Sequence, residues 1–227
     1  MAFQELPARL AEVRTKIEQA RLRGGRGQEV TIVAVTKTYG PDAAAAAWES
    51  GVADVGENRV QEAMSKMAKV SVPLRWHLIG HLQRNKVKQL DGFHLIHSMD
   101  SARVSDALDE HGRSRGRPMD VLLQVNVSGE GTKGGYEPDD VERETERLVA
   151  MKGLVVRGVM TMAPFDASEV TLRRVFGGAR AAAERLRAAG LPATELSMGM
   201  SGDYVVAVEE GATLVRLGTV LFGARSA

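Results

Sequence analysis

Lys37, Arg216 and the small polar residues around Ser201 and Thr219 are the positions of this sequence whose types and spacing could do chemistry. Lys37 closes the run Val30-Thr31-Ile32-Val33-Ala34-Val35-Thr36-Lys37. Side chains alternate along a strand, so Lys37 shares a face with Val35 and Val33. If that face points into an apolar enclosure, the neutral amine is favoured, and a neutral amine is what adds to an aldehyde to make a Schiff base. The plain alternative is a strand-end lysine whose head reaches solvent. Further on, Ser197-Met198-Gly199-Met200-Ser201-Gly202-Asp203 sets small residues and a hydroxyl before a helix starting near Asp203, and Leu214-Val215-Arg216-Leu217-Gly218-Thr219 ends the last strand. Gly218 lets the backbone approach a phosphate closely, while Ser201 and Thr219 can donate hydrogen bonds to it. Arg216 shares a face with Leu214 and Gly218, so it should point inward, where an unpaired guanidinium is costly and needs an acceptor. Ordinary turn glycines and a surface arginine are the alternative here.

Other strand exits carry weaker signals. Asn58, after Gly56-Glu57, could hydrogen-bond a ligand or cap the following helix, and without further evidence the cap is the better reading. In Trp76-His77-Leu78-Ile79-Gly80-His81 the histidines straddle a strand and its exit, with no third ligand at metal-site spacing. His81, just past Gly80, is the candidate to touch a ligand, and His77 reads as a satisfied interior histidine. Ser98, Asp100 and Ser101 could equally be helix caps. Met160 and Met162 read as packing.

The elements that must position these residues follow a βα rhythm. Apolar runs predict strands over residues 30–37, 54–56, 75–80, 93–98, 119–127, 154–162, 195–198 and 213–218. Leu6, Leu10, Val13 and Ile17 predict an N-terminal helix over about residues 3–22, stopped by the glycines at 24, 25 and 27. Val60, Ala63, Met64 and Met67 form one later stripe, Val104, Ala107 and Leu108 another, and Val141, Leu148 and Val149 a weaker third. The clearest is Leu172, Val175, Phe176, Ala179, Ala182, Ala183 and Leu186, stopped at Gly190 with Pro192 behind it. Continuously apolar strands suit a parallel sheet buried on both faces. Eight βα units in 227 residues predict an α/β fold, a single-domain (β/α)₈ TIM barrel, with a doubly wound open sheet as the alternative. The barrel requires polar and glycine-rich residues to cluster just after strands, and they do. The segment Ser128-Gly129-Glu130-Gly131-Thr132-Lys133-Gly134-Gly135 reads as a mobile loop without an assigned role.

Composition removes competitors. There are 30 basic and 29 acidic residues, a balance unlike the basic excess of nucleic-acid binders. Cysteine is absent, which excludes disulfides and thiolate chemistry. No export signal or membrane-length apolar run is visible, so a soluble cytoplasmic protein is expected.

One ligand would satisfy Lys37, the phosphate-ready exits and Arg216 together. Pyridoxal 5′-phosphate (PLP) has an aldehyde, a phosphate and a ring nitrogen, and an arginine facing that nitrogen would leave it unprotonated. The blocks Ala34-Val35-Thr36-Lys37, Gly56-Glu57-Asn58, Trp76-His77-Leu78-Ile79-Gly80-His81-Leu82-Gln83-Arg84-Asn85-Lys86, Leu196-Ser197-Met198-Gly199-Met200-Ser201 and Val215-Arg216-Leu217-Gly218-Thr219 closely resemble the pyridoxal phosphate homeostasis proteins, the YggS/PROSC family. The resemblance runs over essentially the whole chain. It implies a barrel like the N-terminal domain of alanine racemase, with PLP held as an aldimine on Lys37. It places Arg216 against the pyridine nitrogen and Ser201, Gly218 and Thr219 on the phosphate, with Asn58 and His81 bordering the cofactor. Gly202 departs from the pattern, since many relatives carry Asp there, which could change how the next helix starts.

The resemblance implies a PLP carrier in intracellular PLP homeostasis without turnover of its own, with apo PLP-dependent enzymes as candidate recipients. The alternative is a PLP-dependent amino-acid racemase. Two-base racemisation needs a second acid/base, which the racemases take from an additional β-domain, and only nine residues follow Gly218. A phosphosugar enzyme would leave Lys37 and Arg216 unexplained. With no dimer motif in view, a monomer is expected.

Overall fold

The computed structural model describes residues 3–131 and 134–223. Thr132 and Lys133 of the glycine-rich loop therefore lie outside the described residues. Eight parallel strands close into a barrel in chain order: β1 Thr31–Val35, β2 Asp54–Glu57, β3 Arg75–Leu78, β4 Leu95–Met99, β5 Met119–Gln124, β6 Leu154–Met160, β7 Glu195–Ser197 and β8 Leu214–Leu217. Val33 aligns with Asp54 on one side and Arg216 on the other, which seals the barrel between β8 and β1. The open-sheet alternative is thereby excluded. Each strand lies within or overlaps its expected run, although most ladders stop short of the apolar residues at the exits.

Outside the barrel lie α1 Leu6–Gly24, α2 Pro41–Glu49, α3 Val60–Met67, α4 Ala102–Ser114, α5 Val141–Ala150, α6 Glu169–Ala188 and the short α7 Tyr204–Glu209 and α8 Thr219–Phe222, while the β3–β4 connection is 3₁₀ over Arg84–Gln89. Helix α1 buries Leu6, Leu10, Val13, Ile17 and Ala20 and packs against α7 and α8. It begins at Leu6, not near residue 3, because Phe3 sits in the left-handed region at φ 67° and Pro7 occupies the first turn. It ends where Gly25 adopts φ 62° and its N–H caps the Arg21 carbonyl. The α6 stripe is buried as expected.

Two stripes need correction. Met64 of α3 and Val149 of α5 are exposed, and α3 buries Lys66 in place of a methionine. A lysine that finds enough acceptors can occupy a position that hydrophobicity alone assigns to an apolar residue.

Two apolar zones result. The larger lies between strands and helices, and a smaller one fills the barrel itself with Val33, Leu95, Leu122, Met160 and Leu214, with Met162 packed against it. Alternation along each strand means that residues two places from these also face inward. His97 and Arg216 are two such residues, and Asp54, His77 and Ser197 of the neighbouring strands are buried polar residues as well.

Candidate functional site

Strand order brings the expected site residues together. Ser201 follows β7, Arg216 lies in β8 with Gly218 and Thr219 just beyond, and Lys37, Asn58 and His81 follow β1, β2 and β3. In the closed barrel β7, β8, β1, β2 and β3 are successive neighbours, so these residues share one arc of the C-terminal rim. Adjacent exits also touch. A Cβ on Gly80 would collide with the backbone of Asn58, and one on Gly218 would lie 3.6 Å from Val35 Cβ.

Lys37 is half-buried and has no hydrogen bond or ion pair with a described residue. Its neighbours are held firmly. The Thr36 carbonyl accepts from Lys66 Nζ at 2.8 Å, and the Thr38 N–H donates to Glu62 Oε1 at 2.8 Å. Lys66 also donates to Glu57 Oε1 at 2.7 Å and to Glu62 Oε1 at 2.8 Å. Burial pushes the Glu57 carboxyl up, and the hydrogen bonds from Lys66 and Thr36 oppose it. Thr38 takes the left-handed conformation at φ 69°, which the Glu62 contact helps to hold. Lys66, Glu57 and Glu62 thus fix the backbone around Lys37 and leave its amine unengaged. The sequence offered one hint of this cluster, a Glu-x-x-x-Lys pair on α3.

Arg216 points inward as expected. Its Nη1 donates to the Ser197 carbonyl at 2.7 Å and to Ser197 Oγ at 2.6 Å, and its Nη2 donates to the Thr161 carbonyl at 3.0 Å. Burial lowers its pKa to about 10, partly offset by the charge of Asp203, so it is a cation at neutral pH. Its direct partners are all uncharged. Further N–H groups of the guanidinium remain for the mouth.

Beside it, the N–H groups of Gly218 and Val220 converge on Ser201 Oγ at 3.4 and 3.3 Å. A Cβ on Gly218 would meet only ordinary contacts, and its φ of −115° suits any residue, so packing within the chain does not demand glycine there. Its absence of a side chain leaves a space beside those N–H groups. Thr219 is exposed next to them. At Gly202 the Cβ direction is open, and the turn is held by Asp203 Oδ1 accepting from the Met200 N–H at 2.6 Å. That departure from the family pattern therefore leaves the start of α7 intact.

Asn58 does not cap α3. The cap position is Arg59, without a side-chain hydrogen bond, which corrects the capping reading and leaves the half-buried Asn58 side chain at the rim. Ser101 sits at the cap position of α4 but makes no side-chain cap either, and its hydroxyl donates to Asp100 Oδ1 at 3.2 Å. His81 is exposed, with Nδ1 2.8 Å from Asp100 Oδ2. His77 is the satisfied interior histidine expected, lying between Asp54 and His97.

Against known proteins, a model of the family described as alanine racemase, N-terminal domain, matches residues 9–226. The pyridoxal phosphate homeostasis protein of Aquifex aeolicus is 40% identical over 221 residues, covering 96% of this chain and 97% of the relative. That of Deinococcus radiodurans is 42% identical over 219 residues, covering 96% and 99%. The chain belongs to the pyridoxal phosphate homeostasis proteins. Among solved structures, PipY of Synechococcus elongatus PCC7942, determined without PLP and with PLP bound, is 37% identical and covers 96% of this chain and all of its own, with TM-scores of 0.87 and 0.85. Alanine racemase of Clostridium difficile matches at 14% identity and a TM-score of 0.76 over 94% of this chain and 56% of its own, a likeness of fold alone. The homeostasis-protein motifs quoted from the sequence thus sit on the fold that the resemblance implied.

Proposed function

We propose that this homeostasis-family chain binds PLP at the β7–β3 arc of the rim and holds its aldehyde as a Schiff base on Lys37. The observation that carries the reading is the combination of an unengaged lysine, an inward arginine with donors left for the mouth, and backbone N–H groups converging beside Gly218, all on neighbouring strand exits. These features fit the cofactor's aldehyde, ring nitrogen and phosphate respectively. Ser201, Gly218 and Thr219 hold the phosphate, Arg216 donates to the ring nitrogen, and Asn58 and His81 border the ring. Bound PLP supplies a reactive aldehyde and an electron-withdrawing ring, and an arginine at the nitrogen weakens the second property. That weakening supports storage and delivery without turnover, with apo PLP-dependent enzymes as recipients and a cytoplasmic monomer as the working form. Among the described residues no helix is long and apolar enough to cross a membrane.

The tyrosines bear on the racemase alternative. Tyr39 donates to the Gly223 carbonyl, Tyr136 donates to Glu144, and Tyr204 is buried. A second acid/base of the racemase kind has no obvious counterpart among them.

Visible absorption of the purified protein with added PLP tests the proposal. The wild type should show an aldimine band, and Lys37→Ala should abolish it. No band in the wild type refutes cofactor binding through Lys37, and stereospecific racemisation at enzyme-like rates refutes the absence of turnover.

A further inference from the structure

A continuous chain of hydrogen bonds descends the inside of the barrel from Arg216 at the mouth to Asp54 at the floor. Arg216 Nη1 lies 2.6 Å from Ser197 Oγ, Ser197 Oγ lies 2.8 Å from His97 Nδ1, His97 Nε2 lies 2.8 Å from His77 Nδ1, and His77 Nε2 lies 2.9 Å from Asp54 Oδ1. The links come from β8, β7, β4, β3 and β2, and none of the residues exceeds 4% exposure. Nothing in the chain's local sequence joins them, since His97 and Ser197 are 100 residues apart.

The two ends fix the direction of the first and last links, and one arrangement of protons carries that direction through the rings between them. A guanidinium can only donate and a carboxylate can only accept. In that arrangement Ser197 Oγ accepts from Arg216 and gives its own hydrogen to His97 Nδ1. His97 then carries its hydrogen on Nε2 and gives it to His77 Nδ1. His77 likewise carries its hydrogen on Nε2 and gives it to Asp54. In that arrangement both rings are Nε2–H tautomers. The opposite arrangement, with His77 doubly protonated and His97 an Nδ1–H tautomer, would instead have Ser197 Oγ accept from both neighbours. Burial, with the Arg216 guanidinium nearby, holds His97 well below the usual histidine range, in agreement with a neutral ring at that one position.

The floor end is anchored and open. Arg75 Nε and Nη2 donate to the two Asp54 carboxylate oxygens at 2.7 and 2.5 Å. A cavity of about 250 Å³ adjoins them, lined by Asp54, Arg75, Arg14 and Glu18 among others.

We infer that Asp54, His77, His97 and Ser197 are positioning residues for Arg216, a one-directional chain that holds its guanidinium as a hydrogen-bond donor toward the mouth. The consequence for a bound ring nitrogen rests on the PLP reading, whereas the direction of the chain does not. A role in packing alone requires only that the groups fit. A positioning role requires that the loss of a link displace the guanidinium and be felt by the ligand.

Two measurements test this. In the first, the PLP-free protein is labelled with ¹⁵N-histidine, its imidazoles are assigned through the backbone, and their tautomers are read by NMR at neutral pH. His77 and His97 should both show protonated Nε2 and bare Nδ1. An Nδ1–H tautomer or a cation at either position overturns the chain. In the second, Ser197→Ala and Ser197→Thr are loaded with PLP. Ser197→Ala should shift the visible band and weaken PLP retention about tenfold, the scale of one hydrogen bond to a charged group, and Ser197→Thr, which keeps the hydroxyl, should restore both. Alanine behaving as wild type in band and retention, with the tautomers as stated, overturns the positioning role. A wild type without a band refutes the PLP reading, while the NMR result still decides the direction of the chain.

Discussion

The cations at the mouth of the barrel and those behind and beneath it are treated in opposite ways. Behind the mouth, Lys66 is buried against Glu57 and Glu62, and at the floor Arg75 grips both oxygens of Asp54. At the mouth, among the described residues, Lys37 has no carboxylate partner and Arg216 bonds only to Ser197 and Thr161. Lys66 and Arg75 are neutralised and serve the architecture. In the proposed reading, Lys37 keeps its amine and Arg216 its remaining N–H groups for a ligand that enters from outside. An arginine left buried among neutral acceptors is expensive for the free chain, which is a reason to associate it with a ligand.

Substitutions at these positions should separate the groups. The largest loss of stability is expected for Lys66→Met, which strands Glu57 in the interior and should cost about 3 kcal/mol in denaturant unfolding. A value near zero would show that Glu57 simply takes up a proton and that Lys66 is not needed.

Asp54 comes next. Burial pushes its carboxyl up, but hydrogen bonds from His77 and Arg75 outweigh this and bring its pKa to about 2 from 3.8. A lowered pKa stabilises the fold above the unfolded value, and the contribution fades as pH falls from about 4 toward about 2. Asp54→Asn should therefore cost on the order of 2 kcal/mol at neutral pH, with the gap to wild type closing over that acid window. A gap independent of pH would assign the loss to packing.

Ser201→Ala should leave unfolding nearly unchanged and weaken PLP retention about tenfold, through the loss of one hydrogen bond to the charged phosphate. Equal retention would move the phosphate elsewhere on the rim. Arg75→Gln should cost about 1 kcal/mol or less, because that guanidinium is half-exposed, and should shift the acid unfolding limb to higher pH as Asp54 loses a partner. Lys37→Ala should have the smallest effect on stability, within about 0.5 kcal/mol, while removing the aldimine band entirely. A large stability loss at Lys37 would erase the contrast between the two lysines.

The βα rhythm, the α1 and α6 stripes and the inward face of Arg216 were legible because each depends on residues a few places apart. The shared rim position of the expected site residues was legible because each lies at or just after the end of a barrel strand. Met64 and Val149 were misplaced because hydrophobicity was weighed without neighbours. Lys66 has the α3 spacing of a buried position, but only its acceptors just after β1, on β2 and on α3 make that burial affordable. Asn58 had the type and place of a helix cap, and backbone geometry gave that position to Arg59.

Residue type and local spacing were enough to establish the fold class and the family motifs, and to single out the lysine and arginine of the proposed site. Tertiary structure alone decided which cations are neutralised and which are left open. It also decided the direction of the hydrogen-bond chain from Arg216 to Asp54. The reason is that a proton's position on an imidazole follows from what lies on both sides of the ring. Across this barrel those partners come from strands that are neighbours in space and distant in sequence.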